Sequence, residues 1–446
     1  MIKPRNLVAF LLIAGLVALV GPAFGEMCTM DAVPAATLLV PYFEVDLDAC
    51  GDPASQTSTL FSINNASAAP ALAHVTLWTD YSQPTLDFDV FLTGYDVQSI
   101  NIADIFCDGN LPITADLAND PVDAISPNSG HLPWDGSFPG CGSIFPFYVN
   151  PMVTGTRLTD LAASHTGGQT STGLCNGHDN GDNIARGYIT VDNASRCSLI
   201  FPDDPDYFDD GTASPLTVAN NINQLWGDWF LVDPANDFAQ GDNLVHVEAE
   251  DGFVGGNNDY TFYARYTFWN GDFDNREPLG ETWGARYING GAFDGSEFIV
   301  WRDSTSNEII NGCYDPAWYP MNETQVIAFD EQEDAEELCF ASPGGVISPP
   351  DPGSDTTCFP LETQRVATGV DPLNPAFNFG WMFMNLNVGI DILTAGDDYD
   401  PSNGQEYGSQ SYVTVLHSAQ GRYSAGMQAM PLSTACDMQN SVIVGW

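Results

Sequence analysis

Leu86-Asp87-Phe88-Asp89-Val90-Phe91-Leu92 carries the period that decides the fold class. In an extended chain Leu86, Phe88, Val90 and Leu92 fall on one face, and Asp87 and Asp89 on the other. The stretch therefore predicts a half-buried strand. The same pattern predicts strands at Leu72 to Thr79, Tyr188 to Asp192, Leu244 to Ala249, Tyr260 to Trp269, Phe298 to Trp301, Trp381 to Val388 and Tyr412 to His417. The 42 Gly and 30 Pro punctuate these runs at short intervals, which favours strands joined by turns over long helices. Only brief helices are expected, near Leu216 to Trp226 and Glu333 to Leu338.

The expected class is all-β, with two antiparallel β-sandwich domains of immunoglobulin-like kind and long disulfide-tied loops. A chain of 446 residues is too long for one ordinary sandwich, so domains are expected at 26–205 and 206–446. A Pro/Gly/Ser-rich loop lies at 341–357. Residues 1–25 have the make-up of a signal peptide: Lys3 and Arg5, an apolar run from Leu7 to Val20, then Ala23-Phe24-Gly25 as a cleavage site. The apolar run is shorter than the roughly 20 residues that span a bilayer, so cleavage and no membrane span are expected. The predicted location is secreted, extracellular or cell-surface, with the periplasm as the alternative compartment.

Lys3 is the chain's lone lysine; beyond the leader, nine Arg face 59 Asp and Glu. That balance excludes nucleic acid as a partner. It also excludes Schiff-base chemistry and a P-loop, both of which need a lysine amine. The six His form neither H-x-H nor H-E-x-x-H, the usual scaffold of zinc hydrolysis. Gly421 to Gly426 lacks the first Gly of a G-x-S-x-G elbow, because Arg422 stands in its place.

Ten Cys in an exported chain predict disulfides, and no C-x-x-C pair points to zinc. Closing moderate loops pairs Cys107 with Cys141, Cys175 with Cys197, and Cys313 with Cys339. The run Asp203, Asp204, Asp206, Asp209 and Asp210 in a Pro-rich loop offers hard oxygen ligands of the kind calcium takes, so calcium is the expected ion. Within Tyr260 to Trp269, an extended chain sets Tyr263, Arg265 and Trp269 on one face. Flat rings beside a guanidinium would form a platform for a polysaccharide. Glu277, Glu281 and Glu297, in an Arg- and Trp-rich region, are the candidate carboxylates for glycoside hydrolysis.

Thr59 to Ser67 followed by Ala73 to Trp78 is similar to the strand-turn-strand of extracellular immunoglobulin-like modules. Ala185-Arg186-Gly187-Tyr188-Ile189-Thr190-Val191-Asp192, Leu225-Trp226-Gly227-Asp228, Asp274-Asn275-Arg276-Glu277-Pro278-Leu279 and Phe298-Ile299-Val300-Trp301-Arg302-Asp303 resemble an uncharacterised family of secreted bacterial proteins. That resemblance implies export and a bacterial source, and no activity or site. The expected function is a structural or binding protein at or beyond the cell surface, with polysaccharide or other surface proteins as partners. A carbohydrate-active enzyme or carbohydrate-binding module is the alternative, and a surface-layer or filament subunit the third. The alternation Val442, Val444, Trp446 also resembles the last strand of an outer-membrane barrel, but the irregular loops, Cys and Pro argue against a barrel.

Overall fold

In the computed structural model, the described residues are 28, 30–114, 138–141, 152–208, 217–252, 261–270, 274–290, 295–303, 321, 323–339, 357–386, 410–419 and 424–433, without the side chains of 268–270. Strands account for 45% and helices for 10%, so the chain is all-β.

Antiparallel sheet I has the order β10-β1-β6-β3-β4, formed by Val245–Val247, Thr37–Asp46, Ile184–Asn193, Ala71–Trp78 and Pro84–Leu92. Sheet II has the order β5-β2-β8-β9, from Val97–Asn101, Ser58–Asn65, Asp228–Asp233 and Phe238–Asn243, and β7 (Leu225–Trp226) pairs with β2. Sheet III is β14-β13-β16-β11-β19, from Ala335–Leu338, Gln325–Phe329, Phe379–Asn385, Thr282–Ile288 and Met430–Pro431. Sheet IV is β15-β12-β17-β18, from Thr363–Ala367, Gly295–Asp303, Gln410–Ser418 and Ser424–Gln428. Sheets I and II each combine strands from both sides of residue 205.

Sheet I is a middle layer, and this corrects the half-buried reading of β4. On one face Leu86, Phe88, Val90 and Leu92 join Val75, Leu77 and Ile189 against Phe61, Ile63, Trp229 and Leu231 of sheet II. Helix α1 (Ile102–Asp108) packs there too, through Ile102, Ile105 and Phe106, and ends on Gly109 at φ 69, a left-handed cap that favours glycine. On the other face Leu39, Leu72, Phe91 and Val247 meet a second core that includes Trp283, Phe298, Val300, Val326, Met382 and Val413 of sheets III and IV. Asp87 and Asp89 point into that second layer, so both are buried. Their charge is answered locally: His74, directly opposite Asp89 on β3, has Nδ1 2.8 Å from Asp89 and Nε2 3.9 Å from Asp87. Burial opposes the charge on His74, but the Asp89 hydrogen bond and the two carboxylates raise its pKa.

A bulge in β1 between Val40 and Phe43 ties sheet I to sheet IV. Pro41 lies inside the bulge, where its missing N–H disrupts no ladder bond. Its carbonyl accepts from Thr363 Oγ1. Two residues along β15, Arg365 Nη1 donates to Glu44 of β1 at 2.6 Å.

Three predicted elements differ. Tyr260 to Trp269 is not a strand: helix α3 covers Ala264–Asn270. Phe262, Tyr263 and Tyr266, at i, i+1 and i+4, all meet the second core from this turn and helix, an arrangement an aromatic run satisfies as readily as alternation. Trp226 and Leu338 end strands β7 and β14 where short helices were expected, because each finds a cross-strand partner, Asn64 and Val326.

The disulfides join Cys50 to Cys107, Cys141 to Cys197, and Cys339 to Cys358. The local pairs Cys107 with Cys141, Cys175 with Cys197, and Cys313 with Cys339 are therefore overturned. The reason is spatial: Cys50 follows β1 and Cys107 lies in α1, and the packing of α1 on sheets I and II brings their Cα atoms to 5.5 Å. Cys28 and Cys175 are also disulfide-bonded. Among the described residues no helix is long and apolar enough to cross a membrane.

Candidate functional site

Three of the chain's scarce cations, Arg265, Arg276 and Arg302, are buried. Arg276, just before β11, is fully buried, with its guanidinium over the rings of Phe208 and Tyr263. It donates from Nη1 to the Asp274 carbonyl at 2.7 Å and from Nη2 to the Asn220 carbonyl at 3.1 Å. Its Nε donates to Thr37 Oγ1, whose own proton goes to Asp192 Oδ1. Asp192 Oδ2 accepts from Tyr207 at 2.7 Å and from Tyr263 at 2.8 Å. Burial, and then the Asp192 charge, hold both phenols well above their ordinary pKa, so they stay donors. Three hydroxyl donors from three different segments address this anion, which makes it a structural knot.

Two of the predicted platform residues, Tyr263 and Arg265, fall into this interior. Tyr263 is 3% and Arg265 7% exposed, too little for a polysaccharide to reach. Arg265 forms ion pairs with Asp303 at 2.7 Å and with Glu362. Trp269 lies in α3. Tyr263 and Arg265 form no exposed face, because the segment is helical and both side chains are buried.

The candidate acids are engaged as well. Glu297 is held by Arg365, which bridges it to Glu44. Glu277 and Glu281 are buried, and Glu277 accepts the N–H of Glu248 at 3.0 Å and that of Cys28. Burial pushes the Glu277 carboxyl up to about 8, against those two donors and helped by Glu248 and Asp31.

In the acidic loop, Asp203, Asp204 and Asp206 occupy a turn in which Asp204 Oδ1 accepts the Asp206 N–H at 3.0 Å. Asp209 and Asp210 lie outside the described residues. Among the described residues, no three acidic ligand atoms converge there. Among the described residues, the one group of three metal-type side chains is Glu323, Cys339 and Cys358. Its sulfurs are joined in a disulfide, which removes the thiolates a metal would need.

A cleft of about 330 Å³ opens beside helix α2 (Thr156–His165), at the low end of volumes that hold small molecules. Arg157, Asp160, Leu161 and Ser164 line it from one helical face, at i, i+3, i+4 and i+7. Pro84 and Thr85 of β4 form a second wall, and Thr170, Thr172 and Asn176 a third. These walls are preorganised. Asp160 accepts from the Ser171 N–H at 2.7 Å and the Ser171 hydroxyl at 2.6 Å, which lowers its pKa. Asn176 Nδ2 donates to Ser164 Oγ at 2.9 Å.

His165, behind the cleft, fixes α2 to the sheet. Its Nδ1–H donates to the Arg186 carbonyl at 2.7 Å, so Nε2 accepts from the Thr85 hydroxyl at 2.7 Å. Burial pushes its pKa down to about 4, and the ring is neutral at pH 7. Gly187 permits this approach: a Cβ there would collide with the Trp78 carbonyl and crowd His165.

No protein-family profile, curated protein or solved structure matches the chain. Sequence reasoning missed the cleft. Its one available signal was Arg157-Leu158-Thr159-Asp160-Leu161, a short helical period.

Proposed function

We propose that the protein is an exported binding protein, acting at the cell surface or beyond it through the cleft beside α2, and not an enzyme. The observation that carries this reading is the chemistry of the cleft. Its walls present hydroxyl, amide and carboxylate groups, with only Pro84 and Leu161 to meet an apolar surface. Such a lining suits a small polyhydroxylated ligand, which brings many hydrogen-bonding groups and a few C–H faces. The candidate acids argue against glycoside hydrolysis. Two are buried, and Glu297 is neutralised by Arg365, so none is poised as an accessible acid with an accessible partner. Export is supported by the leader-like residues 1–25 and by disulfide bonding, which persists in oxidising compartments.

The test is a panel of soluble mono- and oligosaccharides examined twice, by calorimetric titration for binding and by reducing-sugar release for hydrolysis. The proposal predicts binding of at least one saccharide without turnover. Turnover that survives purification to homogeneity, or no binding across the panel, would contradict it.

A further inference from the structure

We infer that the cleft beside α2 selects a carboxylate-bearing sugar, a uronate, with Arg157 as the residue that reads the carboxylate. This rests on the binding reading above and adds the ligand's charge to it. In so acidic a chain, carboxylates that could neutralise a cation are abundant. Arg186, Arg265, Arg276, Arg302 and Arg365 each have an acidic partner within 4 Å. Arg157 has no ion pair or hydrogen bond among the described residues and is exposed at the cleft wall. Its charge reaches buried Asp87 only as a minor lowering of that group's pKa against burial. The guanidinium fork is therefore available for a planar carboxylate, which it binds with two parallel hydrogen bonds.

The rest of the lining excludes a bare anion. Asp160, one helical turn along the same face, keeps a negative charge in the cleft, so a ligand carrying only anionic oxygens is repelled there. Asp160 has already accepted two donors from Ser171 and retains lone pairs suited to hydroxyl groups. Thr170 and Thr172 hydroxyls, 3.0 Å apart, and the Asn176 amide continue that hydroxyl-matching surface. A ligand that satisfies both ends has one carboxylate for Arg157 and several hydroxyls for the remainder. That combination describes a uronic acid and excludes inorganic phosphate as well as a neutral hexose.

The experiment uses the full mature chain at neutral pH and low salt, titrated by calorimetry with glucuronate, galacturonate, glucose, acetate and phosphate. The expected result is that a uronate binds, with glucose, acetate and phosphate at least about tenfold weaker, the scale of a charge-assisted bidentate contact. Arg157→Gln, an exposed change checked for an unaltered melting temperature, should weaken the uronate about tenfold or more. Arg157→Lys should recover only part of that loss, and Arg286→Gln, at an exposed arginine of sheet III, should have no effect. Equal affinity for glucose and glucuronate, or uronate binding indifferent to Arg157→Gln, overturns the inference while the binding reading stands. Absence of binding by every sugar overturns both.

Discussion

Arg276 and Asp192, both fully buried, lie 3.6 Å apart with Thr37 Oγ1 relaying a hydrogen bond between them. Asp192 belongs to the middle sheet and Arg276 to the segment leading into sheet III, so the pair ties these two sheets together within the second core, among Tyr207, Phe208 and Tyr263. Breaking a buried ion pair from one side leaves the other charge uncompensated, at a cost of about 3–5 kcal/mol. Arg276→Met should therefore lower the unfolding free energy by that amount in denaturant titration. Because Thr37, Tyr207 and Tyr263 also serve Asp192, Arg276→Met combined with Asp192→Asn should cost less than the sum of the singles, by roughly 1 kcal/mol or more. Strict additivity would mean that the groups act independently.

Arg265 discriminates structure from recognition. Its ion pairs with Asp303 and Glu362 are buried, so Arg265→Gln should lower the melting temperature and leave saccharide affinity unchanged. Loss of affinity at constant stability would restore the surface-platform reading.

Two buried groups give opposite pH signatures. His165 has a folded pKa of about 4, below its unfolded value of about 6.5, so the unfolded chain binds more protons between those values. Its contribution is complete at neutral pH and is lost as pH falls through that window, by at most about 3 kcal/mol. The stability gap between wild type and His165→Gln should narrow from pH 7 to pH 4, and a constant gap would show that the ring protonates freely in the folded state.

Glu277 runs the other way. Its folded pKa of about 8 exceeds the model-peptide value of 4.5, so its contribution is complete below pH 4.5 and is lost as pH rises to 8. Relative to wild type, Glu277→Gln should gain stability across that range, by at most about 5 kcal/mol. The amide loses one of the two backbone donors, which adds a pH-independent offset and leaves the slope. Thermal melts at pH 5 and pH 8 suffice, and a flat difference would place the carboxyl in its ordinary range.

The strands were legible where alternation met a partner of equal length. Leu72, Phe88 and Val413 all lie in strands where their period put them. Burial on the polar side of β4 was not legible, since Asp87 and Asp89 are interior only because His74 stands opposite on another strand. Tyr263 and Arg265 misled for a related reason: aromatic alternation over ten residues fits a helical turn and a strand alike, and tertiary packing chose the helix. The cleft depends on Thr85, Asp160 and Asn176 meeting from three separate segments, a juxtaposition that no local spacing encodes.

Disulfides that close long loops should be worth most. Opening Cys50–Cys107 with a double Ser substitution should cost about 4 kcal/mol in the chain-entropy account, against about 3 for Cys339–Cys358, whose separations are 57 and 19 residues. Melting under oxidising conditions would rank them.

The stacked β architecture is tested most directly by mapping the crosslinks of the purified protein, digested without reduction and sequenced by mass spectrometry. The account predicts peptides joining Cys50 to Cys107, Cys141 to Cys197 and Cys339 to Cys358, with no free thiol at those six positions. Reduced cysteines there, or a Cys107–Cys141 peptide in their place, would contradict it.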